Sequence, residues 1–120
     1  GVDVAYHTDD YITDSRLFLR SGALGVRAGL SEQKAIEALT IAAAEQLDLS
    51  DRIGSLEVGK DADLCVLDGK PFSVYTQVLE TWVEGERVFD LSDPTDAVYA
   101  TGGRGAGDDV PFTGCCANIR

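Results

Sequence analysis

The 120-residue sequence has no methionine, one histidine, one tryptophan, three prolines and three cysteines. A single histidine leaves only one imidazole for acid–base work. It is also far too few for a metal centre built on imidazoles, which takes three or four protein ligands. The cysteines, Cys65, Cys115 and Cys116, form no disulfide framework, and none has zinc-site spacing to a second Cys or His. An odd count without a framework points to a reducing compartment, so a cytoplasmic location is expected. Cys65 lies in an apolar stretch and is expected to be a small buried hydrophobe. No apolar run approaches the ~18 residues of a membrane span, and no basic, then apolar, signal stretch opens the chain. Bases are also scarce: 10 against 21 acids, a net charge of −11. Such a surface repels nucleic-acid phosphates and anionic membranes, so neither is expected as a partner. Asp outnumbers Glu and Arg outnumbers Lys. That balance fits a salt-adapted proteome and an ordinary acidic protein equally well.

What is present bounds the fold. An apolar content of 44% supports a folded body rather than disorder. A chain this short buries roughly 65% of its unfolded surface and forms one small core. It falls well short of the ~250 residues of a complete α/β barrel. With Gly1 first and no methionine, the chain is expected to be a processed product or a piece of something longer.

The pattern divides into three stretches. Gly1 to Thr8 alternates Val2, Val4 and Tyr6 against Asp3, Ala5 and His7, and predicts a short strand. It ends abruptly in His7-Thr8-Asp9-Asp10. A helix is expected over 14–28, capped by Thr13 or Asp14, with Leu17, Leu24 and Ala28 on its apolar stripe, flanked by Phe18 and Leu19. Gly29 supplies a left-handed stop. Ser31 caps a second helix running to about Leu47, with Ile36, Leu39, Ala43 and Leu47 as its apolar face. From residue 51 the chain turns to short strands. Glu57-Val58-Gly59-Lys60 is a turn, Ala62 to Leu67 reads as a strand buried on both faces, and Asp68-Gly69-Lys70-Pro71 is a second turn. Val78 to Phe89 reads as a hairpin turning at Glu84-Gly85, with Trp82 as a core anchor. Residues 91–120, rich in glycine around Gly102 to Asp109, read as a flexible acidic tail. No internal repeat is present.

The polar end of the first strand is the strongest candidate for chemistry. Side chains alternate along a strand, so His7 and Asp9 share one face. A carboxylate at the C-terminal end of a strand that leads into a helix is where α/β barrels hold catalytic groups. Such an Asp can bind a divalent metal and accept a proton from water. On pattern alone, a solvated loop with a helix cap is the better account of Asp9, Asp10 and Asp14. The other constellations are weaker. Gly102 to Gly107 shares only its glycines with a phosphate-cradling loop. The serines have only His7 as a base and no nucleophile-elbow motif. The Cys115-Cys116 pair could take a soft metal, but reads more simply as part of an exposed tail.

Three stretches change the balance: His7-Thr8-Asp9-Asp10-Tyr11-Ile12-Thr13-Asp14-Ser15-Arg16, Gly29-Leu30-Ser31 through Ala38-Leu39-Thr40, and Asp51-Arg52-Ile53-Gly54-Ser55-Leu56-Glu57-Val58-Gly59-Lys60-Asp61-Ala62-Asp63-Leu64. With Val83-Glu84-Gly85 and Val88-Phe89 after them, they resemble the C-terminal part of a metal-dependent amidohydrolase of the imidazolonepropionase-like kind. The resemblance spans residues 1 to about 90, and Gly-Lys-Asp-Ala-Asp-Leu is its most specific element.

The resemblance implies an α/β architecture. Residues 1–50 would be the last strand–helix unit of a TIM-type (β/α)8 barrel and residues 51–90 the returning strands of a small β-sandwich, the whole incomplete as a stand-alone domain. It implies hydrolysis of a non-peptide C–N bond in a small amide-type substrate by metal-activated water. Asp9 matches the family's metal ligand and general base, and His7 would sit behind it in a supporting role. Asp61 and Asp63 match turn and strand-boundary positions. Two departures are minor: Ala42-Ala43 replaces a frequent Asn-Pro, and Asp48 replaces a frequent Gly. The large departure is the absence of the other seven barrel strands and their histidines. A divalent metal, zinc by default, is therefore implied for the complete enzyme, and the isolated chain is expected to bind none and to be inactive. A split hydrolase completed by a partner chain and a non-enzymatic acidic interaction module are the alternatives.

Overall fold

The structure, a computed structural model, describes residues 2–9 and 15–101. Tyr11 to Asp14, with both candidate caps of the first helix, lies outside them, as do Asp10, Cys115, Cys116 and the Gly102 to Asp109 run. A 3-10 turn at Ser15–Leu17 leads into α1 (Phe18–Arg27). Then come α2 (Glu32–Leu39) and α3 (Ile41–Gln46), the strands β1 (Leu64–Leu67), β2 (Val78–Val83) and β3 (Glu86–Asp90), and α4 (Pro94–Thr101). The strands form one antiparallel sheet in the order β1-β2-β3. Among the described residues no helix is long and apolar enough to cross a membrane.

Local chemistry sets the helix ends. Gly29, at φ 107°, closes α1: its N–H donates to the Val26 carbonyl and that of Leu30 to the Gly25 carbonyl, both at 3.0 Å. That pairing satisfies two carbonyls that the helix end leaves open. The Ser31 hydroxyl caps α2 by accepting from the Lys34 N–H at 3.2 Å. Asp48, at φ 56°, repeats the left-handed stop after α3, where the Leu49 N–H donates to the Ala44 carbonyl at 2.8 Å. A single helix was expected from Ser31 to Leu47. Instead it breaks at Thr40, whose backbone (φ −134°, ψ −97°) leaves the helical region while its hydroxyl bonds back to the Ile36 carbonyl at 2.8 Å.

The helical faces are rotated from those expected. Leu24 is 56% exposed and Leu47 67%, whereas Gly22, Ala35, Ala38 and Ala44 are the buried positions. The reason is close packing. At Gly22 a Cβ would fall 2.6 Å from Phe72 Cε1 and 2.7 Å from Leu39 Cδ1, so the bare backbone lets α1 settle against both side chains.

Three further expectations are corrected. Residues 2–8 form no strand; a strand needs a hydrogen-bonding neighbour, and to the described residues this segment makes only one backbone bond of that kind, from the Tyr6 N–H to the Ala38 carbonyl at 3.0 Å. The strand read as buried on both faces is an edge strand, with Cys65 and Val66 exposed, so Cys65 is not a core residue. Its burial requires a covering layer that the described residues do not supply. Within the segment read as a tail, residues 94–101 are helical. Pro94 occupies the first turn and Asp93 Oδ1 accepts from the Thr95 N–H at 2.7 Å, a start signal present in the sequence.

The hairpin forms where expected. Glu84 (φ 52°) and Gly85 (φ 78°) are both left-handed, as in the two-residue turn whose twist matches paired strands. Trp82 is half-buried, and its Nε1 donates to Glu80 Oε2 at 2.8 Å. The hairpin tip is tied to the strand entry, because the Glu84 N–H donates to Asp63 Oδ1 at 2.8 Å. Asp61 accepts from Arg52 at 2.6 Å. Both aspartates thus bind the chain together at a turn and at a strand boundary.

Candidate functional site

The His7–Asp9 end of the first segment is held from two sides. The Tyr6 N–H donates to the Ala38 carbonyl near the end of α2. The Tyr6 hydroxyl lies against Gly25 of α1, in the space a Cβ would take. Two residues on, the backbone reverses. Asp9 adopts φ 51°, which Asp tolerates better than most residues. Its N–H then donates to His7 Nδ1 at 3.1 Å. With Nδ1 accepting, the neutral imidazole carries its proton on Nε2. Both side chains are exposed.

The two candidate residues are therefore brought together, by a turn hydrogen bond rather than by a shared strand face. The positions that anchor them, Tyr6, Gly25 and Ala38, gave no motif signal. A mid-helix glycine such as Gly25 was the one available hint, since it costs a helix about 1 kcal/mol relative to Ala unless close packing requires it.

The donor set is small. Among the described residues no group of three or more His, Cys, Asp or Glu side chains could hold a metal ion. One carboxylate, beside an imidazole with one nitrogen already engaged, does not fit a complete metal centre. A cleft of about 390 Å³ between α1, α2 and the 70–73 turn is lined by Val26, Arg27, Ile36, Lys70 and Phe72, and by neither His7 nor Asp9.

Charged pairs cluster in the connecting loops. The Ser55 hydroxyl donates to Glu57 Oε1 and accepts from Lys60 Nζ, both at 2.5 Å, and Lys60 lies 3.2 Å from Glu57. The Ser55 hydrogen bond, then Lys60, holds the Glu57 carboxyl below its ordinary value. The Lys34 hydrogen bond, then that of Gln33, does the same for Glu37. The two Ser92 donors lower Asp90. These pairs fasten loops and helix turns; none touches His7 or Asp9.

The model of the amidohydrolase family matches residues 4–89, a range that contains all three motif stretches and the closing hairpin. The chain belongs to the amidohydrolase family. A solved amidohydrolase from Thermotoga maritima is similar at a TM-score of 0.71 and 37% identity, over 75% of this chain and 24% of that one. The imidazolonepropionase of Syntrophobacter fumaroxidans is 42% identical over 74 residues, 58% of this chain and 17% of the relative. The 5-methylthioadenosine/S-adenosylhomocysteine deaminase of Teredinibacter turnerae is 34% identical over 79% of this chain and 27% of the relative. This amidohydrolase segment spans between 9% and 27% of the length of the curated relatives it matches.

Proposed function

We propose that this chain is the C-terminal part of a metal-dependent amidohydrolase that cleaves a non-peptide C–N bond in a small amide, cyclic amide or amidine. In this reading residues 1–50 close the barrel, residues 51–90 belong to the returning β-sandwich, and residues 91–120 extend beyond it. The remaining barrel strands, on the same polypeptide or on a partner chain, complete the active site in the cytoplasm. The isolated chain is inactive.

The observation that carries the reading is the placement of Asp9 within the family-matched range. It is an exposed carboxylate on a left-handed turn, its amide fixed to His7. Asp9 would contribute one ligand to a divalent ion, zinc by preference, completed by residues outside this segment. The step that this chain's own residues perform is proton transfer. The Asp9 carboxylate accepts a proton from the attacking water as the C–O bond forms, and returns it to the nitrogen as the C–N bond breaks. His7 holds the turn that presents that carboxylate.

The test is Asp9→Asn in the complete hydrolase. A positioned general base contributes about 10²–10⁴-fold, so kcat falls by that range with the far-ultraviolet circular dichroism unchanged. Full activity in the variant overturns the assignment.

A further inference from the structure

We infer that Tyr6 is a positioning residue for the His7–Asp9 turn, and that Gly25 exists as a glycine to receive it. The inference rests on the proposed role of Asp9 for its functional meaning, but its geometry stands alone. Tyr6 is the last residue before the candidate site with contacts on both helices. Its backbone N–H is fixed at 3.0 Å to the Ala38 carbonyl of α2. Its ring is half-buried and its hydroxyl occupies the space over Gly25 of α1, where Tyr6 Cζ would also lie 3.4 Å from an added Cβ.

Residues 2–8 have no strand neighbour among the described residues, so this two-point attachment fixes the direction in which the segment runs past α1 and α2 toward His7. The next three residues make the turn. Asp9 takes a backbone conformation that costs an L-residue roughly 1–2 kcal/mol, and the hydrogen bond to His7 Nδ1 offsets part of that cost. A displaced Tyr6 moves His7 with it, and the 3.1 Å contact is lost. The chain of dependence runs from Gly25 to the Tyr6 hydroxyl, to the Tyr6 backbone, to the His7 imidazole and the Asp9 amide.

Gly25 also has an ordinary glycine's cost. It lies inside α1, where Ala is favoured by about 1 kcal/mol. A methyl there gains helix propensity, so a loss on substitution has to come from the clash with Tyr6. This makes the pair separable by a double-variant cycle. Gly25→Ala forces the hydroxyl aside. Tyr6→Phe removes the hydroxyl and keeps the ring and the Ala38 bond. The combined Tyr6→Phe/Gly25→Ala variant has room for the methyl.

The experiment is nitrogen-15 NMR of His7 in the 120-residue chain at about pH 8, above the ordinary imidazole range. The wild type is expected to show Nδ1 as the unprotonated nitrogen. In Gly25→Ala the ratio of Nε2–H to Nδ1–H tautomers is expected to fall about fivefold, the worth of one net hydrogen bond. The double variant is expected to regain the wild-type ratio. The Lys34 amide, capped by Ser31, reports the fold of α2 independently.

An unchanged ratio in Gly25→Ala overturns the inference, and so does a double variant that stays shifted. If Gly25→Ala fails to fold, the double variant still decides: a folded double variant with the wild-type ratio supports the coupling, and an unfolded one overturns it. None of these readouts requires activity. Failure of the coupling is therefore distinguishable from failure of Asp9 as a general base, which only the Asp9→Asn assay reports.

Discussion

Gly54 is the position where a single methyl group should do the most damage. It stands at φ 90° in the loop leaving α3. A Cβ there would fall 2.8 Å from Ala44 Cβ, 2.9 Å from Ile41 Cα and 3.2 Å from Ile41 Cδ1. Two costs add in Gly54→Ala. The left-handed backbone costs an L-residue about 1–3 kcal/mol. Forcing a methyl into filled space costs about another 1–3 kcal/mol, with little relief because one of the obstructing atoms is backbone. Against these, Ala loses less chain entropy on folding, which returns about 0.4–1 kcal/mol. The net loss is about 2–4 kcal/mol. Gly59 is the internal control: its φ is 96°, but among the described residues no atom beyond its two chain neighbours lies within 4 Å of its Cβ position. Gly59→Ala carries the same backbone cost and entropy return without the packing cost, and should lose about 1–2 kcal/mol. Urea unfolding followed by circular dichroism reads the difference. With a slope of about 1–2 kcal/mol per molar urea, the Gly54→Ala midpoint should lie about 1 M below that of Gly59→Ala. Equal midpoints would refute the packing of this loop against α3.

Ser31→Ala removes the α2 cap and should cost about 1 kcal/mol, read as a lower urea midpoint; Ser31→Asn should restore most of it. Glu84→Asn places a residue suited to φ 52° at the first position of the hairpin turn and should stabilise the protein by a few tenths to about 1 kcal/mol. A lower midpoint in that variant would contradict the turn geometry. Glu37, Glu57 and Asp90 have carboxyls lowered in the folded state from ordinary values of 4.5, 4.5 and 3.8. Their contribution is therefore fully present above those values and lost as the pH falls through the lower, folded ones. The urea midpoint should fall with acidification below about pH 4.5, and Glu57→Gln should flatten that slope; an identical slope in the variant would show that the Ser55–Glu57–Lys60 cluster does not couple to folding.

Features set by the local chain were legible in the sequence. Gly29, Ser31, Gly59 and the Glu84-Gly85 turn each need a particular backbone conformation or cap, and residue type reports that need directly. The family motifs were legible for the same reason, since Gly54, Gly59, Asp61 and Asp63 each fill a turn or accept a backbone or arginine hydrogen bond. Features set by what lies across from the chain were not. Alternation in residues 2–8 is a genuine strand pattern, but a strand exists only with a partner edge. The apolar run at Leu64 to Leu67 asks for cover on two faces, and Cys65 is exposed because one cover is missing among the described residues. The break at Thr40 left no mark, because Thr40-Ile41 is compatible with continuing the helix. At the candidate site, strand alternation was the wrong reason to pair His7 with Asp9, because a left-handed turn and its hydrogen bond bring them together. The Tyr6–Gly25 contact that anchors them joins residues from separate elements and could not be read from either one.

The central claim is that this chain works only as one part of a larger amidohydrolase. The most direct test is native mass spectrometry of the species captured from its source with an antibody to residues 31–67. The account predicts a mass several times the 12.8 kDa of this chain, as one long polypeptide or as a complex with the chain that supplies the remaining strands. A free 12.8 kDa monomer that binds no partner chain would contradict it.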